Sequence, residues 1–151
     1  MTARLGDTAA LELVRVHDAL VSRGLALHAG REVKHTGDGI MAAFDEVANA
    51  VRAAADIQQR FERYNTEACE SLRVRIGIHA GEPVAEHNDL FGLTVQMAFR
   101  LCSEAEAGGI LVSGLVRELS GQDASRFVAL GERRLKGFPA RMPVFRFEWQ
   151  S

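Results

Sequence analysis

The sequence predicts an α+β sandwich in which helices cover one face of a mainly antiparallel sheet. Three observations point there. Segments with apolar residues at helical spacing alternate with short apolar runs of strand type. A Gly37-Asp38-Gly39 triplet separates two such short runs and reads as a hairpin turn. The 151 residues suffice for one domain with its own core.

The elements follow in order. Asp7 or Thr8 is the expected cap of a first helix, whose stripe is Ala10, Leu13, Val14, His17, Leu20, Val21 and Leu25. Gly30 is its expected stop, and His17 reads as a half-buried packing residue. The hairpin runs from Val33 to Phe44. Asp45 then caps a second helix with Val47, Ala50, Val51, Ala54, Ile57, Phe61 and Tyr64 on its apolar face. Leu72 to Ala80 reads as a strand, with Val74, Ile76 and Ile78 on one side and Arg73, Arg75 and Gly77 on the other. Gly81-Glu82-Pro83 breaks it, and Val84-Ala85 is the expected start of a return strand.

A third helix follows Asp89-Leu90-Phe91-Gly92, with Thr94, Met97, Ala98, Leu101, Cys102 and Ala105 as its buried stripe. Gly108-Gly109 ends it. Ile110-Leu111-Val112 is a short buried strand, and a small helix spans Leu115 to Leu119. Two last strands are expected at Phe127 to Leu130 and Val144 to Trp149.

Bulk properties exclude several functions. The formal net charge is −2, which gives no electrostatic case for nucleic acid or an anionic membrane. No uncharged run exceeds about ten residues, too short to cross a bilayer. Cys69 and Cys102 offer neither a disulfide framework nor metal-ligand spacing, and read as reduced thiols of a cytoplasmic protein. His35, His79 and His87 form no ligand spacing, and the break after Ala80 separates His79 from Glu82 and Glu86.

Taken alone, Asp38 at the hairpin tip is a turn residue or a metal ligand. Asp-Gly suits a tight turn, whereas a carboxylate between two glycines suits Mg²⁺ or Mn²⁺ beside a polyphosphate. Taken alone, Lys34 is a solvated strand lysine and Asp89 a helix cap.

Together these residues resemble the class III nucleotidyl cyclases. Val33 to Phe44, Val74 to Gly81 and Asp89 to Leu101 look like the three signature blocks of that family, in order and at matching spacing. The segment from Thr2 and the ending Gly131-Glu132-Arg133-Arg134-Leu135-Lys136-Gly137-Phe138 extend the resemblance over residues 1–151, read as a single domain. The resemblance implies a ferredoxin-like sandwich and an adenylate cyclase that converts ATP to 3′,5′-cyclic AMP and pyrophosphate.

It also implies roles. Lys34 and Asp89 match the pair that selects the purine. Adenine presents an acceptor at N1 and a donor at N6, which suits an ammonium and a carboxylate; guanine reverses both. Arg100 matches the arginine that stabilises charge on the transferring phosphate. Gln96 stands four residues earlier, where the family most often has an asparagine that orients the ribose. Asp38 matches a metal carboxylate for Mg²⁺ or Mn²⁺. The family's sites form between two subunits, so a homodimer with two equivalent sites is implied.

The resemblance departs at one end. Family members begin with a central strand bearing the first metal aspartate. That strand lies just before the segment matching Thr2 to Asp7, so the domain is expected to be N-terminally incomplete. The strands at Ile40 to Phe44 and Leu72 to Ala80 would then lack a common neighbour. The alternative function is a catalytically impaired cyclase-like domain that binds nucleotide or mediates regulatory dimerisation.

Overall fold

The computed structural model describes residues 2–36, 39–67, 72–80, 93–134 and 141–150, with backbone alone at 2–12, 34–36, 39 and 93–94. Helix α1 (Thr2–Leu27) leads into the hairpin β1 (Arg31–Thr36) and β2 (Gly39–Ala43). Then come α2 (Val47–Glu67), β3 (Ile76–Ile78), α3 (Leu93–Glu104), β4 (Ile110–Ser113) and α4 (Gly114–Leu119). A 3₁₀ turn at Ala124–Arg126 precedes β5 (Phe127–Arg134) and β6 (Arg141–Phe147). The expected return strand at Val84-Ala85 lies outside the described residues.

The strands form two sheets. β1 and β2 pair antiparallel, closing at Thr36 opposite Gly39. The other sheet has the order β3-β4-β6-β5, parallel between β3 and β4 and antiparallel elsewhere. The mainly antiparallel α+β class is therefore as read from the sequence.

The layering is not. β4 is buried on both faces. Ile110 and Val112 join Val51, Ala54, Val116, Phe127 and Phe147, beneath α2 and α4. Leu111, between them in sequence, joins Met97, Leu101, Ala105 and Val144, against α3. Successive strand side chains point to opposite faces, so α3 covers the face that α2 does not. The expectation of helices on one face is corrected to helices on both. The continuous apolar run Ile110-Leu111-Val112 has a physical reason here: a strand covered twice cannot alternate with polar residues.

A third cluster joins the hairpin to the rest. Val21 and Leu25 of α1 and Ile57 and Phe61 of α2 are buried, with Ile40, Ala42, Phe44, Leu72, Val74 and Ile76 packed on them. The His17 ring meets Phe61 edge-on at 5.5 Å, the packing role expected of it. The two helices approach closely at Gly24, where any Cβ would collide with Ile57. β2 and the chain leading into β3 thus lie under one apolar cluster, yet no ladder joins β2 to β3 among the described residues.

Two boundaries differ from expectation. α1 begins at Thr2, so Asp7 lies inside the helix rather than capping it. The expected strand 72–80 shrinks to Ile76–Ile78 because other groups satisfy the backbone before it. Asn65 bonds both the N–H and the carbonyl of Leu72, at 2.8 Å each. The Val74 carbonyl accepts from the Gly108 N–H at 2.9 Å and from Gln58 Nε2 at 3.0 Å. Polar groups paired in this way need no neighbouring strand.

Candidate active site

Helix α3 carries Gln96 and Arg100. Its inward side is Met97, Leu101 and Ala105, all buried. Gln96 is exposed and Arg100 half-buried, one turn apart on a different side from that stripe. Phe99, between them in sequence, is 52% exposed, a large apolar side chain left on the surface beside these polar groups.

The sheet holds α3 by close backbone contact. A Cβ on Gly77 would stand 2.6 Å from the Ala98 carbonyl oxygen and press on the Cys102 amide. Only glycine lets β3 and α3 approach so closely. The Cys102 thiol donates to the Arg75 carbonyl at 3.3 Å, a second tie between this helix and the strand segment. The sequence placed Gly77 on the polar side of its strand; the structure shows that side covered by α3.

The strand's end is fixed as well. His79 Nδ1 lies 2.7 Å from Ser113 Oγ. Ser113 is 3% exposed, and its oxygen also accepts from the Val116 N–H at the start of α4. Burial pushes the His79 pKa below its ordinary 6.5. Sequence reading missed both Gly77 and the His79–Ser113 pair as positioning groups; the Gly77-x-His79 spacing was the available signal.

The remaining expected residues are placed less fully. Lys34 stands in β1 opposite Met41, and only its backbone is described. Asp38 and Asp89 lie outside the described residues. The structure therefore sets Gln96 and Arg100 together on one helix face. Among the described residues no three His, Cys, Asp or Glu side chains gather as a metal site. Among the described residues, no helix is long and apolar enough to cross a membrane.

Comparison with known proteins supplies the context. Residues 7–148 match the family described as "Adenylate and Guanylate cyclase catalytic domain". The Rhizobium meliloti protein named "Putative adenylate cyclase 3" is 33% identical over 128 residues, covering 83% of this chain and 22% of that protein. An uncharacterised Mycobacterium tuberculosis protein is 33% identical over 148 residues, covering 98% of this chain and 37% of its own length. The chain thus spans well under half the length of these relatives. The crystal structure of an adenylate/guanylate cyclase/hydrolase from Silicibacter pomeroyi superimposes with a TM-score of 0.81 at 33% identity, covering 97% of this chain and 89% of that one. A match over nearly all residues, in sequence and in fold, shows that this chain belongs to the class III adenylate and guanylate cyclase catalytic-domain family.

Proposed function

We propose that this chain is an adenylate cyclase domain that converts ATP to 3′,5′-cyclic AMP and pyrophosphate. The observation that carries the reading is the pair Gln96 and Arg100 on one side of α3, apart from its buried stripe, with α3 seated on β3 through Gly77. The family membership gives that pair a reaction.

In that reaction the ribose 3′-oxygen attacks the α-phosphorus. An O3′–P bond forms, the bond from the α-phosphorus to the α,β-bridging oxygen breaks, and pyrophosphate leaves with the electron pair. Arg100 stabilises the charge that grows on the phosphoryl oxygens, a task for a rigid, permanently charged fork. Gln96 holds the ribose by its amide, one methylene further out than asparagine would. Lys34 donates toward adenine N1 and Asp89 accepts from N6, so ATP is preferred over GTP.

Asp38 is an oxygen donor of the kind Mg²⁺ or Mn²⁺ takes, and such an ion, when bound, would neutralise the triphosphate. That carboxylate fits such an ion in kind, and among the described residues no group of three His, Cys, Asp or Glu adds to it. The proposal includes a homodimer with sites between subunits, for which exposed Phe99 beside Gln96 and Arg100 offers an apolar contact. It also includes a single domain over 1–151, whose sheet takes a further strand between β2 and β3. The support is that both flank one apolar cluster without pairing.

A second reading, a cyclase-like domain that binds nucleotide but turns over poorly, is favoured by Gln96 and by that gap. Nucleotide competition tests the purine-reading part. Lys34→Glu is expected to reduce the preference for ATP over GTP in binding. An unchanged preference would remove Lys34 from the purine site.

A further inference from the structure

A cleft of about 560 Å³ lies away from α3. It is lined by His28 after α1, by Arg52, Asp56, Gln59, Arg60 and Arg63 of α2, and by Arg126 and Phe147 from the far end of the sheet. The α2 residues recur at spacings of three and four, so they form one face of that helix. The opposite face is the buried Val51, Ala54, Ile57 and Phe61.

Four guanidinium groups share this cleft with one carboxylate. Asp56 is already committed: its Oδ2 lies 3.0 Å from His28 Nε2, and its Oδ1 lies 2.9 Å from Arg60 Nε. That second approach makes an ion pair but is out of line for a hydrogen bond, so the buried Arg60 N–H keeps no hydrogen-bond partner. No acid among the described residues pairs with Arg52 or Arg63; Arg52 reaches only the Asn49 amide oxygen, at 3.4 Å.

Arg126 is fixed by several contacts, and the Asp123 carboxylate faces it from the start of the same turn. It donates to the Glu148 carbonyl at 3.0 and 3.3 Å and to Gln122 Oε1 at 3.3 Å. Its guanidinium also stacks 4.8 Å from the Phe147 ring centre. Isolated surface arginines are ordinary solvated groups. Four around one cleft, with one fixed by the fold and with Arg52 and Arg63 lacking an acid partner among the described residues, make a positive patch that attracts an anion.

We propose that this cleft binds a small phosphate-bearing anion with two or more negative charges. Guanidinium forks match phosphate oxygens in pairs, and the volume exceeds what a single phosphate fills. No α3 residue lines the cleft, so this site is separate from the one assigned to the cyclase reaction and does not depend on that assignment.

The test is calorimetric titration of the full chain with inorganic pyrophosphate, without divalent metal, at fixed ionic strength. Pyrophosphate is also a product of the proposed reaction, so two variants are compared. Arg52 and Arg63 are exposed, and Arg52→Gln with Arg63→Gln should leave the fold intact, as circular dichroism would check. Saturable binding should weaken about tenfold or more in that double variant and stay within about twofold in Arg100→Ala. Arg63→Lys, which keeps the charge but not the fork, should fall between. Absence of saturable binding, equal binding in the double variant, or loss of binding in Arg100→Ala would each overturn the proposal.

Discussion

His79 Nδ1 and Ser113 Oγ stand 2.7 Å apart, joining the end of β3 to the junction of β4 and α4. The serine oxygen also accepts the Val116 N–H, so one hydroxyl joins β3, β4 and α4.

A pH dependence follows from that pair. Burial lowers the His79 pKa in the folded chain below 6.5, while the unfolded chain keeps the ordinary value. Between the two values the unfolded state binds more protons. The contribution of His79 is therefore fully present above pH 6.5 and is lost as pH falls below it toward the folded value. Thermal melts across this range should show the midpoint falling on the acid side, and His79→Asn should flatten that part of the curve. An unchanged slope in the variant would remove His79 as its source.

Ser113→Ala removes both the partner of His79 and the cap of α4. We expect a loss of about 1–2 kcal/mol in denaturant unfolding, typical of a helix cap with a buried hydrogen bond. A loss well below that range would mean that water or another donor replaces the hydroxyl.

Gly77→Ala forces a methyl group into the backbone of α3 at Ala98 and Cys102. Overpacking of this kind typically costs about 1–3 kcal/mol. Because the obstruction is backbone, the helix must shift, and Gln96 and Arg100 shift with it. Catalytic turnover should fall by about a hundredfold, the scale of a misplacement near 1 Å, even at temperatures where the variant is folded. Full activity in a folded variant would show that the β3–α3 approach does not set the site.

Gln58 is 2% exposed, and its Nε2 donates to the carbonyls of Val74 and Gly109. It ties the chain before β3 to the turn before β4, through α2. Gln58→Leu should destabilise by about 1–3 kcal/mol, since both carbonyls lose a buried donor. Equilibrium unfolding measures this directly.

Much of this architecture was legible because periodicity reports what a surface is packed on. Met97, Leu101 and Ala105 announced the buried side of α3, and Ile110-Leu111-Val112 announced a buried strand. Which helix covers which face was not legible, because it depends on the order of strands across the sheet. The start of α1 was misplaced because a polar Asp7 resembles a cap although the helix runs through it. β5 reaches Arg134 and β6 begins at Arg141, beyond the expected limits, because charged residues on an exposed ladder carry no apolar signal. Of the candidate site, residue types and order were legible, and the structure adds the seating of α3. The arginine cleft could not be found in sequence, since Arg126 and Phe147 meet α2 only through the fold.

The central claim is that Arg100 on α3 serves ATP cyclisation. The direct measurement is the rate of cyclic AMP formation from Mn²⁺-ATP by the chain and by Arg100→Ala, with equal folding checked by thermal melts. The account predicts cyclic AMP from the parent chain and a loss of about 10²–10³ in kcat for the variant, the scale for removing one donor to a developing oxyanion. Cyclic AMP formation that survives Arg100→Ala unchanged, or its absence from a folded, ATP-binding parent chain, would contradict it.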